Sequence, residues 1–472
     1  MFFKLREEIF MLRLWRTWYK KSRYREVARV CVPLVTGMAA TTVMEFTDRI
    51  FLSHYSVNAI SAVVPAGVTV FLVLCFLGGI AGYTSIFIAQ YHGAGQPEKI
   101  GATFWQGMFF TLVSGALLIL IAFQATTPFF KLIGHSPEIR VLEERYFMIL
   151  CQGGVLHVAI QVLSGFFTGR GMTRPVMIAN IVGMVVNVPL NYAMINGVWG
   201  FPELGISGAG IATVVSWGVT VFCLAPAIFS RRFVEQFRLL ETIRLDRDIL
   251  IRLLKFGIPG ALQFSLDIFA FTFFILMVGR MGTVPLAASN IVISISSLAF
   301  MPALGFSFGM SSMTGQALGK GKPEEARAAV WSGIHILIMY TLLLDALFLI
   351  APESVITLFM DRGDMGGNYE DILQMGSTLL KLVAAYILLD VFYMIFAAAL
   401  KGAGDTRFLL LVIFSASLGC MIIPLYVGIK FLGMTIYGAW SCIIVFIGLL
   451  AVLTARRYHG KKWEEMLVID KE

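Results

Sequence analysis

Three aspartates, Asp48, Asp267 and Asp390, stand inside long apolar runs of this chain and are its clearest candidates for chemistry. A charge at the centre of a bilayer costs about 2.5–3.5 kcal/mol on insertion scales, so an acid there is a functional candidate by default. Carboxylates grouped in a cavity of low dielectric titrate as a coupled set. Such a set can hold a proton or a sodium ion and release it when the cavity opens. We therefore predict three ion-coupling residues, with a candidate Na+ site at Asp267 and Asp390.

The neighbours of these acids leave structural alternatives open. Arg49 directly follows Asp48, and an ion pair with an arginine near the outer surface would also explain that acid. Glu45 lies one helical turn before Arg49, so it either pairs with this arginine or lines a cavity. Asp267 and Asp390 have no basic residue within one turn, which favours a functional role for both.

Amide side chains recur along one later run. Asn180, Asn187 and Asn191 are spaced by seven and four residues, which places them on one face of a helix. Amides on one face of a membrane helix either bond to neighbouring helices or line a polar cavity. We assign Asn180 and Asn187 to a substrate cavity. The other predicted cavity residues are Glu45, Gln263 and Tyr393.

The composition indicates which elements position these side chains. Of the 472 residues, 58% are hydrophobic and 14% are charged, and the mean hydropathy is +0.81. Apolar runs of about twenty residues recur, and as helices they are long enough to cross a hydrocarbon core of about 30 Å. The sequence therefore predicts an all-α integral membrane protein with twelve transmembrane helices. The predicted spans lie near 31–53, 59–88, 102–127, 146–168, 175–197, 204–229, 253–279, 284–315, 329–351, 377–400, 408–430 and 433–455.

An internal repeat divides the chain into two similar halves. The segments Gln90–Glu98 and Gln316–Glu324 share five identities at an offset of 226 residues, and the same offset relates Pro33 to Pro259. Each half holds an even number of spans, so both halves enter the membrane in the same sense. Two parallel six-helix bundles with a cleft between them follow, and such bundles can rock about a central site.

The distribution of charge predicts how the chain crosses the membrane. If the N-terminus is cytoplasmic, 29 of the 37 Lys and Arg residues fall on the inner side and 8 on the outer side. Basic residues mark the cytoplasmic side, so we expect both termini there, in a cytoplasmic (inner) membrane. The net charge of +8 then reflects membrane topology and not a nucleic-acid partner.

These observations predict a division of the chain into five parts. Residues 1–26 alternate basic and apolar groups at helical spacing, which is typical of a helix lying on an anionic leaflet and also of a solvated basic tail. The predicted parts are the amphipathic N-terminal segment 1–26, an N-terminal six-helix bundle 27–230, a cytoplasmic linker 231–252, a C-terminal six-helix bundle 253–457 and a cytoplasmic tail 458–472.

One motif suggests an enzyme instead. Gly402–Asp405 with the upstream Asp390 has the GxGD pattern of intramembrane aspartyl proteases, which need both acids at similar depth to share a water. Asp405, however, lies in a basic turn that recurs in the first half as Gly169–Arg174, so a structural repeat explains the motif better. No Walker A sequence occurs. We expect no enzymatic activity and no cofactor beyond a coupling ion.

Taken together, the chain resembles the multidrug and toxic compound extrusion (MATE) family of secondary exporters. The resemblance covers about 27–457. It is carried by Pro33 with Asp48 fifteen residues later, Gln90–Glu98, Gly169–Pro175 followed by Asn180, Asn187 and Asn191–Tyr192, and Leu204–Ala209.

This resemblance implies two six-helix bundles in a V shape and the export of cationic, often aromatic compounds in exchange for Na+ or H+. Asp48 matches the family's first-helix acid, and Asp390 matches the tenth-helix acid of one bacterial subfamily. That subfamily has a glutamate at the seventh-helix position, where this chain has Asp267. Asn187 matches a polar fifth-helix position associated with substrate or proton handling. The expected partners are cationic small molecules and the lipid bilayer, and the expected state is a monomer.

The alternative is a flippase for a lipid-linked saccharide, from a related superfamily. It would call for a larger and more basic cavity to neutralise a diphosphate. Few Lys or Arg residues fall inside the predicted spans, which favours the exporter.

Overall fold

The computed structural model describes residues 22–360 and 368–470. Twelve helices in these ranges are long and apolar enough to cross a membrane, so the predicted all-α class and the number of spans are confirmed. We number them in chain order: α1 Tyr24–Tyr55, α2 Val57–Ala94, α3 Pro97–Gln124, α4 Pro137–Thr168, α5 Arg174–Asn196, α6 Ile206–Ile228, α7 Arg247–Gly279, α8 Thr283–Gly319, α9 Pro323–Ile350, α10 Tyr369–Ala403, α11 Thr406–Phe431 and α12 Ile436–His459. Short helices lie at Thr126–Ile133, Arg231–Phe237, Pro352–Thr357 and Lys462–Glu465.

Several helices begin before the apolar runs that predicted them. α7 starts at Arg247, six residues before the predicted bundle boundary at 253, because Asp246 caps it: its side chain accepts from the backbone N–H groups of Asp248 and Ile249 at 3.1 Å each. The predicted linker 231–252 therefore includes a short helix and the first turns of α7. The predicted amphipathic segment 1–26 lies mostly outside the described residues, which begin at 22, and α1 starts at Tyr24.

One span contains a break in its hydrogen-bond ladder. Within α11, a π-helical turn at Ser417–Ile422 separates two α-helical stretches. It ends two residues before Pro424, which has no N–H to donate to the preceding turn. A π turn is a common way to accommodate such a defect inside a helix.

The buried apolar side chains form two clusters, one in each half of the chain. Residues at three places cross between the halves, and one of them is Leu253 of α7, which packs in the cluster of the first half. The start of α1, with Val27, Val30 and Cys31, packs in the cluster of the second half. Val468 and Ile469 from the C-terminal tail pack in the cluster of the first half.

All of these residues lie at the same end of the molecule, which we call the terminal end because α1 begins and α12 ends there. Contacts define it: Arg23 pairs with Glu325 at the start of α9 at 2.9 Å, and Arg457 near the end of α12 pairs with Asp405 at 2.7 Å. The opposite end is called the far end.

The two halves are joined at the terminal end and part toward the far end. Among the described residues, the hydrogen bonds and ion pairs between the halves begin at the terminal end with the Arg23–Glu325 pair. The one nearest the far end joins the Thr42 hydroxyl of α1 to the Met301 sulfur of α8 at 3.2 Å. Beyond that level the side chain of Glu45 on α1 is exposed. The molecule is therefore a V-shaped pair of bundles with a central cleft, as predicted.

Candidate ion and substrate site

A buried polar pocket lies within the first half, where α1, α5 and α6 meet. Asn191 of α5 donates a hydrogen bond from Nδ2 to Asp48 Oδ1. Thr213 of α6 donates from its hydroxyl to Asp48 Oδ2 at 3.3 Å. Asp48 is only 7% exposed and Asn191 is fully buried. Three helices thus converge on one carboxylate.

The parallel packing of α1 and α5 explains which amides reach this pocket. Asp48 lies beside Asn191, and eleven residues earlier Gly37 lies beside Asn180, whose Nδ2 would be 3.1 Å from a Cβ on that glycine. Both pairs are 143 positions apart, so the two helices keep one register. Asn187 is one turn from Asn191 on the same face and therefore borders the pocket.

Asn187 is the least satisfied polar side chain of this region. It is fully buried, yet among the described residues neither Nδ2 nor Oδ1 has a hydrogen-bond partner, and Asn191 Oδ1 also lacks one. Buried polar groups are almost always paired in folded proteins, and an unpaired one costs about 1–3 kcal/mol. Unpaired amide oxygens on the helix face that contacts Asp48 are available to coordinate a cation.

The pocket could therefore hold a cation. Oxygen atoms from Asp48, Asn187, Asn191 and Thr213 are the kind of ligands found at the Na+ or H+ sites of transporters. The alternative explanation of Asp48 as an ion-paired residue has no counterpart in the geometry, because within the described ranges no basic group lies within 4 Å of its carboxylate.

The second pair of acids lies in the other half. Asp267 of α7 and Asp390 of α10 are close enough for their charges to interact, and the Tyr393 side chain lies within electrostatic range of both. Gln263 Nε2 donates to the Tyr393 hydroxyl at 3.1 Å and links the two helices. The four predicted residues of this half thus form one cluster.

The predicted residues consequently divide into two sites, with Asn180 apart from both. No described contact joins Asp48 to Asp267 or Asp390. Asn180 packs against α1 about two turns from Asn187. Glu45 lies one turn before Asp48 on α1, close enough for the two charges to interact, and its side chain is exposed beyond the contacts that join the halves. Only the first-half pocket combines a carboxylate with unpaired buried amide oxygens.

The terminal end is closed by a reciprocal pair of hydrogen bonds, which we call the terminal gate. Gln90 of α2 donates from Nε2 to the Gly402 carbonyl of the second half at 2.9 Å. Gln316 of α8 donates from Nε2 to the Gly169 carbonyl of the first half at 2.8 Å. Both glutamines and both glycines are repeat-related pairs, so the gate has the twofold pseudosymmetry of the chain.

Glycines allow the backbones to approach at this gate. A Cβ on Gly93 would lie 2.1 Å from the Gln316 carbonyl oxygen, and a Cβ on Gly319 would lie 2.0 Å from the Gln90 carbonyl oxygen. No side chain fits at either position without a shift of the backbone. The helix pair α2 and α8 can therefore close only because both positions are glycine.

The C-terminal tail lies across this gate on one side. The Val468 backbone N–H donates to Gln90 Oε1 at 2.8 Å, and Asp470 pairs with Arg252 at 2.6 Å. Trp463 is fully buried and Val468 is 2% exposed. The predicted tail 458–472 is thus packed on the structure over its described residues.

Some of these residues were missed by sequence reasoning. Asn191 shares a face with Asn187, and that spacing was a usable signal for the pocket. Thr213 has no distinctive local pattern, since hydroxyl residues are common in membrane helices. Gln90 and Gln316 were visible as part of the repeat, but their pairing with glycine carbonyls depends on the packing of the halves.

The GxGD motif has a structural role. Asp405 accepts a hydrogen bond from Arg457 Nε at 2.7 Å, at the terminal end, and is separated from Asp390 by the last turns of α10. The two acids therefore do not share a water at one depth.

Comparisons with known proteins agree with this architecture. The family model MatE matches residues 33–193 and 259–427, more than two thirds of the chain. The matched segments begin 226 residues apart, which is the offset of the repeat.

Solved structures of similar fold include a transporter of the MOP superfamily from Pyrococcus furiosus, described in terms of a binding pocket of reverse polarity that suggests a different function. It has a TM-score of 0.84 and 22% identity, over 93% of this chain and 96% of that one. An outward-facing multidrug resistance MATE family transporter has a TM-score of 0.84 and 22% identity, over 93% and 97% of the two chains. A MATE structure in a bent conformation has a TM-score of 0.82 and 23% identity, over 94% and 97%. The family match over both halves, together with the shared fold, shows that this chain belongs to the MatE family of membrane transporters.

Proposed function

We propose that this transporter exports cationic, often aromatic compounds in exchange for Na+ or H+. The observation that carries the proposal is the first-half pocket, where Asp48 bonds to Asn191 and two unpaired amide oxygens, of Asn191 and Asn187, lie on one face of α5. An acid that is expensive to bury and oxygens without partners are what a reversible cation site requires. The similar fold of a multidrug resistance transporter supports the substrate class.

The coupling mechanism follows from two states of the V-shaped pair. In the present state the terminal gate is closed and the halves part at the far end. Exchange requires that ion and substrate compete for sites or shift the same equilibrium in opposite directions. In our proposal a cation at Asp48 neutralises the pocket and promotes substrate release, while Asp267 and Asp390 bind the second ion or the cationic substrate.

The proposed orientation places the terminal end in the cytoplasm of a bacterial-type cell, with both termini inside and the protein in its cytoplasmic membrane. The excess of basic residues on that side supports it. The cleft then opens outward, so the present state is the one that releases substrate. A monomer contains the whole proposed pathway between its two halves.

Ethidium transport in proteoliposomes tests this function. An imposed Na+ gradient and an imposed pH gradient are applied separately, and ethidium movement is followed by fluorescence. We expect ethidium movement against its own gradient under one of the two, and none in liposomes that lack the protein. Absence of movement under both gradients would contradict drug export and favour the lipid-linked saccharide flippase.

A further inference from the structure

A second cavity with a distinct chemistry lies at the terminal end, on the first half. Its volume is about 180 Å³, and it is bordered by the end of α2, the turn after α4 and the short helix Arg231–Phe237. Its polar lining consists of His92, Arg170, Arg232 and Gln236, and no carboxylate is among the lining residues.

Arg170 is the central group of this cavity. It is 8% exposed, and its Cζ lies 4.0, 4.4 and 4.8 Å from the ring centroids of Phe166, Phe233 and Phe237. The rings hold the plane of the guanidinium by cation–π attraction. The rings accept no N–H hydrogen bond in the ring plane: Nε donates to the Phe166 carbonyl at 2.8 Å, and Nη2 has no hydrogen-bond partner in the part of the chain that the structure describes.

The cavity also lacks a counter-ion. Within the described ranges, none of Arg170, Arg232 and His92 forms an ion pair with a carboxylate. Burying a cation without an anion is costly, and a guanidinium matches the geometry of a phosphate or carboxylate. The site therefore has charge and donors that the protein itself leaves unused.

The internal repeat shows that the fold does not require this arginine. In the related turn of the second half, Ala403 occupies the position of Arg170, and the turn still provides its Gly402 carbonyl to the terminal gate. The charge at Arg170 is thus an addition to the first half alone, which indicates a role beyond forming the turn.

We propose that this cavity binds the phosphate of an anionic phospholipid headgroup. The cavity lies where α4 and α6 end, which the proposed orientation places at the cytoplasmic face of the membrane. Basic pockets between spanning helices on that side bind lipid headgroups. Met172 lines the same cavity and is 40% exposed, which provides an apolar edge for the chains of a lipid.

Occupancy of this site would bear on the terminal gate. The Gly169 carbonyl, next to Arg170 in the chain, accepts the Gln316 hydrogen bond of the gate. A phosphate bound to Arg170 therefore stabilises the turn that contains the Gly169 carbonyl. The closed terminal end is then more stable with an anionic lipid bound.

The purified protein in detergent tests the site by native mass spectrometry with phosphatidylglycerol or phosphatidylethanolamine. We expect preferential retention of phosphatidylglycerol and at least a roughly tenfold weaker apparent Kd in Arg232→Ala, equivalent to about 1.4 kcal/mol. Arg231→Ala is the matched control, because Arg231 has the same charge but pairs with Glu235 at 2.8 Å and does not line the cavity.

Three outcomes would overturn the proposal. Equal loss of binding in Arg231→Ala and Arg232→Ala would mean diffuse surface charge. Equal retention of the two lipids by the wild type would show that the cavity does not select an anionic headgroup. Thermal stabilisation by inorganic phosphate alone, as large as that by phosphatidylglycerol and lost in Arg232→Ala, would assign the site to a free anion. Since Arg232 is exposed, its replacement leaves the fold intact, whereas Arg170→Gln serves as a second variant only if it folds.

Discussion

The amide of Asn187 is placed where a folded protein rarely leaves a polar group: fully buried and unpaired on both atoms. A group of this kind persists when it serves a ligand that is absent part of the time. The unpaired amide destabilises the empty transporter, and a bound ligand that pairs with it removes this destabilisation. Stability and transport should therefore respond to this residue in opposite directions.

We predict that Asn187→Leu stabilises the ion-free protein and impairs transport. Removing two unpaired polar atoms from a buried site should raise the unfolding free energy by about 1–3 kcal/mol, measured by thermal unfolding in detergent without Na+ at neutral pH. Asn196→Leu on the same helix is the control, since Asn196 is exposed and bonds to the Tyr192 carbonyl at 2.9 Å. A destabilised Asn187→Leu that still transports ethidium normally would contradict this role.

The acids of the second half provide another prediction at this scale. Asp267→Asn and Asp390→Asn should each lower the rate of ethidium efflux by about tenfold or more, because the amide cannot carry the charge that binds a cation. Asp371→Asn, an exposed residue at the start of α10, should leave the rate unchanged. Wild-type rates in both buried variants would exclude these acids from the transport cycle.

At the scale of elements, the crossing of α2 and α8 sets which end is closed. Gly93→Ala should shift the protein toward states open at the terminal end, because the new Cβ would fall 2.1 Å from the Gln316 carbonyl oxygen. The readout is the distance distribution between spin labels on Ala94 and Lys322 in a background without the six native cysteines, and it should broaden to longer distances.

Gly67→Ala is the matched control for this change. It lies on the same span, and a Cβ there has no atom within 4 Å outside its own helix. Identical distance distributions for Gly93→Ala and the wild type would show that the glycine contact does not hold the terminal end closed.

The elements also show what the sequence could and could not predict. Length and hydropathy were sufficient for twelve spans, because a helix that crosses a bilayer needs a long apolar run. Helix starts were predicted less well: α7 begins at Arg247 in a polar segment because Asp246 caps it. The π turn in α11 was not predicted, because a single such turn leaves no distinct hydrophobic pattern in an apolar run.

The sequence was sufficient to select the acids of the site, but not to predict which residues lie together. Charges inside apolar runs are conspicuous, so Asp48, Asp267 and Asp390 could be selected without a structure. Which helices face one another decides that Asp48 belongs with Asn191 and Thr213, and that information is carried by packing between distant parts of the chain. The Na+ site predicted at Asp267 and Asp390 remains a prediction, and the first-half pocket is now an equally strong candidate.

At the scale of the whole molecule, the C-terminal tail makes the pseudosymmetric gate asymmetric. We predict that Val468→Pro favours opening of the terminal end, because proline has no N–H to donate to Gln90 Oε1. Val468→Ala keeps that donor and is the control for the lost side chain. The Ala94–Lys322 label pair should report longer distances in the proline variant than in the alanine variant, and equal distances would mean that the tail does not restrain the gate.

The parallel repeat, two bundles and a gate closed at one end together suit a rocking transporter, and the central claim is that a cation at Asp48 is exchanged for substrate. The most direct test imposes an ethidium gradient on proteoliposomes and measures the counter-movement of ions, as radioactive sodium uptake and as internal pH. The wild type should move one of the two ions in response, and Asp48→Asn should move neither while keeping the thermal stability of the fold. Ethidium movement without any ion movement in the wild type, or undiminished ion movement in Asp48→Asn, would contradict the account.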